Sequence, residues 1–183
     1  MSQHSEEFVK HLDSLKENDR GAMAALRHSL AFEPGAYPRA FPYVERFAGA
    51  AVHERDARQL ALYAVAGLFA RHPMQAAQSF ATAFGELMLR RSKPKEPNKS
   101  IENRFIALLS ADAENVVDYL RQAFSLLNAD KIGCDYACLL DDLSTWINPS
   151  ADPANRDRLR QRWARDFYRA LLSDVQTKTA TSE

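Results

Sequence analysis

The stretch that decides the fold is Arg158-Leu-Arg-Gln-Arg-Trp-Ala-Arg-Asp-Phe-Tyr-Arg-Ala-Leu171. At 100° per residue, Leu159, Trp163, Phe167 and Leu171 share one arc of a helix. Arg158, Arg162, Arg165 and Arg169 share a narrow stripe on the opposite side. The segment therefore reads as an amphipathic helix with a core face and a cationic face. Apolar residues recur at this spacing in nearly every other segment, while glycine is scarce and alternating β-branched strands are absent. The fold class is all-α, a bundle of eight or nine helices.

Working outward, the pattern places a first helix over residues 5–16, with Phe8, Leu12 and Leu15 on one face. Asn18 or Asp19 offers an N-cap for a second helix carrying Met23, Leu26 and Leu30. Further helices are expected over residues 55–71, 75–90, 101–109, 113–127, 136–146 and 153–172. Between Glu33 and Tyr43 three prolines remove backbone donors and bias their predecessors toward extended conformations, which predicts an ordered, aromatic-rich connection rather than a regular helix. Residues 92–100 hold two prolines, no apolar residue and a basic excess. They read as a mobile linker between an N-terminal helical half, 1–91, and a C-terminal half, 101–175, packed as two subdomains and followed by a frayed tail at 176–183.

With 183 residues, 46% hydrophobic and 26% charged, the chain can bury a core without a disulfide or metal. No window approaches the roughly 18 apolar residues of a membrane span, and Met1-Ser-Gln-His-Ser-Glu-Glu7 lacks the signature of a secretory leader. A cytoplasmic protein with no membrane partner is the expectation. Cys134 and Cys138 then read as structural thiols in a reducing compartment. Lys plus Arg equal Asp plus Glu at 24 each, so any affinity for polyanions must come from local clustering rather than an overall field.

The signatures of catalysis are missing: no G-x-S-x-G, no phosphate-binding loop, no H-E-x-x-H. His4, His11, His28, His53 and His72 lie apart, without the paired spacing of metal ligands. Asp141 and Asp142 are neighbours on a helix and so diverge. Asp112, Glu114 and Asn115 read as a cap with favourable first-turn charge. No catalytic residue, metal or cofactor is expected, and the chain is read as a non-enzyme. What remains is arginine. Arg27, Arg104 and Arg121 interrupt otherwise apolar helices. Each either snorkels and pairs locally, as Arg121 can with Asp118, or faces a polyanion, which the planar guanidinium fork suits. The stripe of the last helix carries the same two readings.

Several blocks follow one another in an order and spacing hard to obtain by chance. They are Gly21-Ala-Met-Ala-Ala-Leu-Arg27, Pro34-Gly-Ala-Tyr-Pro-Arg-Ala-Phe-Pro-Tyr43, Asn103-Arg-Phe-Ile-Ala-Leu-Leu-Ser-Ala-Asp112, Tyr119-Leu-Arg-Gln-Ala123 and Leu143-Ser-Thr-Trp146. Over about residues 15–170 the chain resembles the CasB family, the small subunit of the type I-E CRISPR Cascade effector. The resemblance implies a non-catalytic, all-helical subunit present as two copies side by side. Its implied partners are the backbone and large subunits of the complex, a second copy of itself, and CRISPR RNA-guided target DNA including the displaced single strand. It implies R-loop stabilisation through basic surface residues. Carried over, Arg27, Arg104, Arg121 and Arg158 match basic positions of the family, Arg55 or Arg58 matches a further one, and the stripe adds Arg162. Arg160 falls at the edge of the apolar arc. Where some relatives carry a basic residue this chain has Ala113, so the resemblance implies a contact that is either weaker here or supplied by Lys131. The rival reading is a purely architectural subunit whose arginines meet acidic surfaces of partner proteins.

Overall fold

Helical periodicity is realised nine times among the residues described by the computed structural model, 2–49, 56–93 and 96–179. In chain order these are α1 (Gln3–Asn18), α2 (Arg20–Ser29), α3 (Phe41–Ala48), α4 (Ala57–Arg71), α5 (Phe80–Arg91), α6 (Lys99–Leu109), α7 (Val116–Asp130), α8 (Tyr136–Ile147) and α9 (Pro153–Thr179). The bundle is all-α, as the sequence predicts. Short polar residues start the helices by accepting orphan amides. Asp19 accepts from the Ala22 N–H at 2.8 Å, Ser79 from Thr82 at 3.2 Å, and Asp135 from Ala137 and Cys138 at 2.9 and 3.1 Å.

Two local expectations are corrected. The helix predicted from residue 75 begins at Phe80 instead. The preceding backbone is held extended against residues 133–135: the Cys134 N–H donates to the Met74 carbonyl, Ala76 to Cys134, and Asp135 to Gln78. These bonds compete with a first helical turn, so the helix waits for the Ser79 cap. The proline-rich connection is also shorter than expected. It forms a 3-10 turn at Pro38–Ala40 and then enters α3 at Phe41. Pro42 falls in the first turn of α3, where its missing N–H has no intrahelical role. Of the basic segment at 92–100, residues 94 and 95 lie outside the described residues, and its last two belong to α6.

The core forms around α4, whose residues from Ala61 to Ala70 are all buried. A helix apolar on every side belongs at the centre of a bundle. Gly67 lets α2 approach it closely, since a methyl group there would meet Leu30 Cδ2 at 2.7 Å. The C-terminal end of α4 is fixed by His72, fully buried, whose Nε2 pairs with the Ile132 carbonyl at 2.7 Å while its own carbonyl accepts from the Tyr136 hydroxyl. The longest helix, α9, lies along α5. Phe84, Phe105 and Phe167 join there, with the rings of Phe105 and Phe167 stacked at 4.0 Å. Cys134 and Cys138 are free thiols, and burial pushes both up, Cys138 to about 11. No helix of the described residues is long and apolar enough to cross a membrane.

Gly85 sets how close α5 and α9 come. An added Cβ would lie 2.6 Å from the Phe167 carbonyl oxygen and 2.8 Å from Ala170 Cβ, neither of which can swing aside. Overpacking of this kind costs about 1–3 kcal/mol, more than the roughly 0.8–1 kcal/mol by which alanine favours a helix interior over glycine. Gly85→Ala should therefore lower Tm, by about 2–4 °C per kcal/mol lost, in a calorimetric scan. A raised Tm would show that the two helices can separate freely.

Candidate nucleic-acid interface

The C-terminal turns of α2 and α4 bring two arginines together with a third from α7. Arg27, in the last turn of α2, donates through Nε to the Ala70 carbonyl at 3.0 Å. The next residue of α4, Arg71, donates through Nε to Ser125 Oγ of α7 at 3.0 Å. Ser125 in turn donates to the Arg121 carbonyl at 2.7 Å. The three residues are thus linked at one junction of three helices, Arg121 through its main-chain carbonyl. Arg27 and Arg71 sit at helix C-termini, where the macrodipole favours positive charge. Each is anchored by Nε, and among the described residues their terminal nitrogens have no partner. Arg121 pairs with Asp118 at 2.9 Å across one helical turn. With side-chain exposures of 39% and 63%, that is a surface pair worth at most about 1 kcal/mol.

Arg71 was not among the sequence candidates. Its position before His72-Pro73 reads as an ordinary helix stop, and only the approach of α7 reveals what it joins. The other candidates stand elsewhere. Arg104 is exposed on α6, the neighbour of α7, and has no described partner. Arg58 is exposed in the first turn of α4, about 20 Å from Arg71 along the helix axis. A cation gains nothing from the dipole at that end. Arg55 lies outside the described residues. Lys131 is exposed and closes α7 in the left-handed conformation, φ 54°.

On α9 the two faces are those read from the sequence. Leu159, Trp163 and Phe167 are buried and Leu171 is partly so, while Arg158, Arg162, Arg165 and Arg169 are exposed. The stripe is not uniform. Arg158 turns back to the Ala154 carbonyl at 3.2 Å. Arg162 pairs with Asp142 of α8, and the same buried carboxylate accepts the Trp163 indole N–H at 2.7 Å. Asp141 turns the other way, to Ser2 and Ser5 at the start of α1, so the neighbouring carboxylates diverge. Arg160 lies over the Trp146 ring at 5.2 Å and donates to the Ala111 carbonyl at 2.9 Å. That is a packing role, consistent with its place beside the apolar arc. Among the described residues no group of three or more His, Cys, Asp or Glu could hold a metal ion.

The comparisons with known proteins agree with one another. The family model for CRISPR-associated protein Cse2 matches residues 22–168. CRISPR-associated protein Cse2 of Thermus thermophilus is 40% identical over 159 residues, covering 86% of this chain and 84% of that protein. The crystal structure of CasB from Thermus thermophilus superposes with a TM-score of 0.74 at 39% identity, over 92% of this chain and 99% of that one. A chain of a CRISPR RNA-guided surveillance complex gives a TM-score of 0.75 over 99% of this chain and 98% of its own. At 24% identity that last match is a likeness of fold.

The Asp142 site carries a pH signature. Burial pushes its carboxyl up, against the Trp163 and Arg162 hydrogen bonds that pull it down. A carboxyl raised in the native state supports folding most fully below its unfolded value of about 3.9, and that support is lost as pH rises through the folded value. Removing Arg162 withdraws one of the downward pulls. Arg162→Ala should therefore cost little stability near pH 4 and progressively more toward pH 7, as read from urea midpoints. Asp142→Ala should cost about 1–3 kcal/mol at either pH, because the Trp163 N–H is left buried without an acceptor. Equal losses for Arg162→Ala at both pH values would refute the charge assignment.

Proposed function

The chain belongs to the CRISPR-associated Cse2 family, as its resemblance to CasB implied, and we propose that it serves as a non-catalytic small subunit of a Cascade interference complex. In this reading it holds nucleic-acid backbone on an arginine-lined surface and so stabilises the R-loop. The observation that carries it is the linkage of Arg27, Arg71 and Arg121 at one helix junction, with anchored Nε groups on the first two and a weak surface pair on the third. Guanidiniums fixed at one nitrogen and open at the others are suited to phosphate oxygens, which they can engage in fork geometry.

Such contacts position a strand without reading its bases, leaving sequence selection to guide pairing. Little energy is needed. Exchange of a DNA duplex for an RNA–DNA heteroduplex is nearly balanced, so a few backbone contacts tip it. The equal numbers of acidic and basic residues fit the same picture. A neutral protein gathers nucleic acid poorly by itself and works when backbone and large subunits, and a second copy alongside, hold it near the strands at high effective concentration. The fold shared with a chain of an RNA-guided surveillance complex supports that setting by analogy.

The test is a salt series on labelled duplex and single-stranded DNA with the wild type and an Arg27→Ala, Arg71→Ala, Arg121→Ala variant, with assembly into the complex measured separately. The variant should lose about 0.9 of log–log salt slope per contact on duplex and about 0.7 on single strands, with assembly intact. An unchanged slope with failed assembly would instead place these arginines against partner proteins.

A further inference from the structure

Beyond the arginine junction, α6 and α7 line a small notch together with Phe84 of α5. Its volume is about 60 Å³, its floor includes Phe84, Leu108 and Ala123, all buried, and its rim includes Arg104, Tyr119 and Gln122. Tyr119 is 36% exposed, and neither its ring nor its hydroxyl has a described partner. The guanidinium of Arg104 and the carboxamide of Gln122 are likewise without one among the described residues. No carboxylate lines the notch. Several other arginines contrast with this: Arg90, Arg91, Arg121, Arg160 and Arg162 each meet an acid.

We propose that this notch seats one unstacked nucleotide of a single strand, its base resting on the Tyr119 ring and its phosphate on Arg104. The inference rests on the nucleic-acid reading given above and extends it from backbone contact to base stacking. Three features select this occupant. An exposed aromatic beside an unpaired arginine is the combination by which proteins hold single strands without sequence preference, because every base has a π-face. The missing carboxylate means that the visitor must bring the negative charge. The size also matters. A volume of about 60 Å³ is well short of the roughly 150 Å³ of a cavity that takes up a benzene ring. Partner proteins engage apolar sites through large anchors in fully desolvated pockets, and such an anchor does not fit here. A flat base laid across Tyr119 needs to place only an edge in the notch, within reach of Gln122. A duplex keeps its bases stacked on each other and gains only the phosphate contact.

The experiment uses the 183-residue protein, alone and assembled with its partner subunits, and an oligothymidine carrying one 2-aminopurine, with a duplex of the same length beside it. Wild-type protein should quench the 2-aminopurine on binding. Tyr119→Leu should abolish that quenching and weaken single-strand binding about 5- to 100-fold, leaving duplex binding and the salt slope unchanged. Tyr119→Phe should behave as wild type. Arg104→Ala should lower the single-strand slope by about 0.7. Unaltered single-strand affinity in Tyr119→Leu, or an equal loss on duplex, would overturn the proposal. So would a loss confined to capture of partner subunits, which would make the notch a protein contact. Salt-dependent binding that falls in the Arg27, Arg71 and Arg121 variant but ignores Tyr119→Leu sinks the stacking proposal alone. Absence of salt-dependent binding by the wild type when assembled into the complex overturns both readings.

Discussion

Between Ala61 and Ala70 no side chain of α4 reaches water freely, so each neighbour must supply apolar surface and each polar group at the helix ends must be satisfied from another element. Full burial of a large apolar side chain is worth about 1.5–3 kcal/mol, and α4 contributes Leu62, Val65, Leu68 and Phe69 to one contiguous core. Its alanines and Gly67 let the surrounding helices come close. That closeness carries α2 so near that Arg27 reaches the Ala70 carbonyl, and it carries α7 so near that Arg71 reaches Ser125. The cationic junction is therefore a product of core packing. Because α4 is buried along its length, its exposed arginines, Arg58 and Arg71, can emerge only at its two ends.

Asp142 shows the opposite demand, a charge drawn inward. Desolvation of a buried carboxylate is costly, and the attraction of a partner repays it only when further hydrogen bonds satisfy the site. Here the Trp163 N–H and the Arg162 guanidinium both meet it. Trp163 stands in the core arc of α9 and Arg162 next to it on the outer stripe, so a single carboxylate from α8 fixes the rotation of α9. Arg162 is consequently half committed to structure, with 47% of its side chain still exposed. A phosphate would have to compete with a partner already in place there, which is not true of Arg104.

Helix type was legible in the sequence because it follows from local periodicity, and α9 is the plainest case, whereas α3 beside the proline-rich connection was not placed. In a strand Arg165 and Arg169 would fall on the same face as Leu159, Trp163 and Phe167, and only a helix separates the two sets. The onset of α5 was not legible. Nothing local forbids a turn at Gln75, and the extended bonds to residues 133–135 come from a segment almost sixty positions away. The same limit applies to the arginines. Sequence could isolate Arg27 and Arg121 as cations in apolar surroundings, but Arg71 looked like a routine C-terminal charge. Its membership in the cluster depends on a contact with Ser125 that no pattern within α4 encodes. Arg162 appeared equivalent to Arg158 on a helical wheel, and the difference between them is Asp142, which lies on another helix.

A chain with no net charge can still present a cationic surface, because helices sort their charges by position. Asp19, Asp56, Asp112, Asp135 and Asp152 each accept backbone amides at or near helix starts. There the orphan donors and the dipole hold them. Arg27 and Arg71 occupy C-terminal turns for the complementary reason. Carboxylates held by backbone amides at caps have less need of the arginines elsewhere, so equal totals do not imply equal pairing. At physiological ionic strength a field of this kind fades within about 8 Å. Its reach is short enough that free nucleic acid is not collected from a distance, while a strand laid against the junction meets guanidiniums already fixed in place.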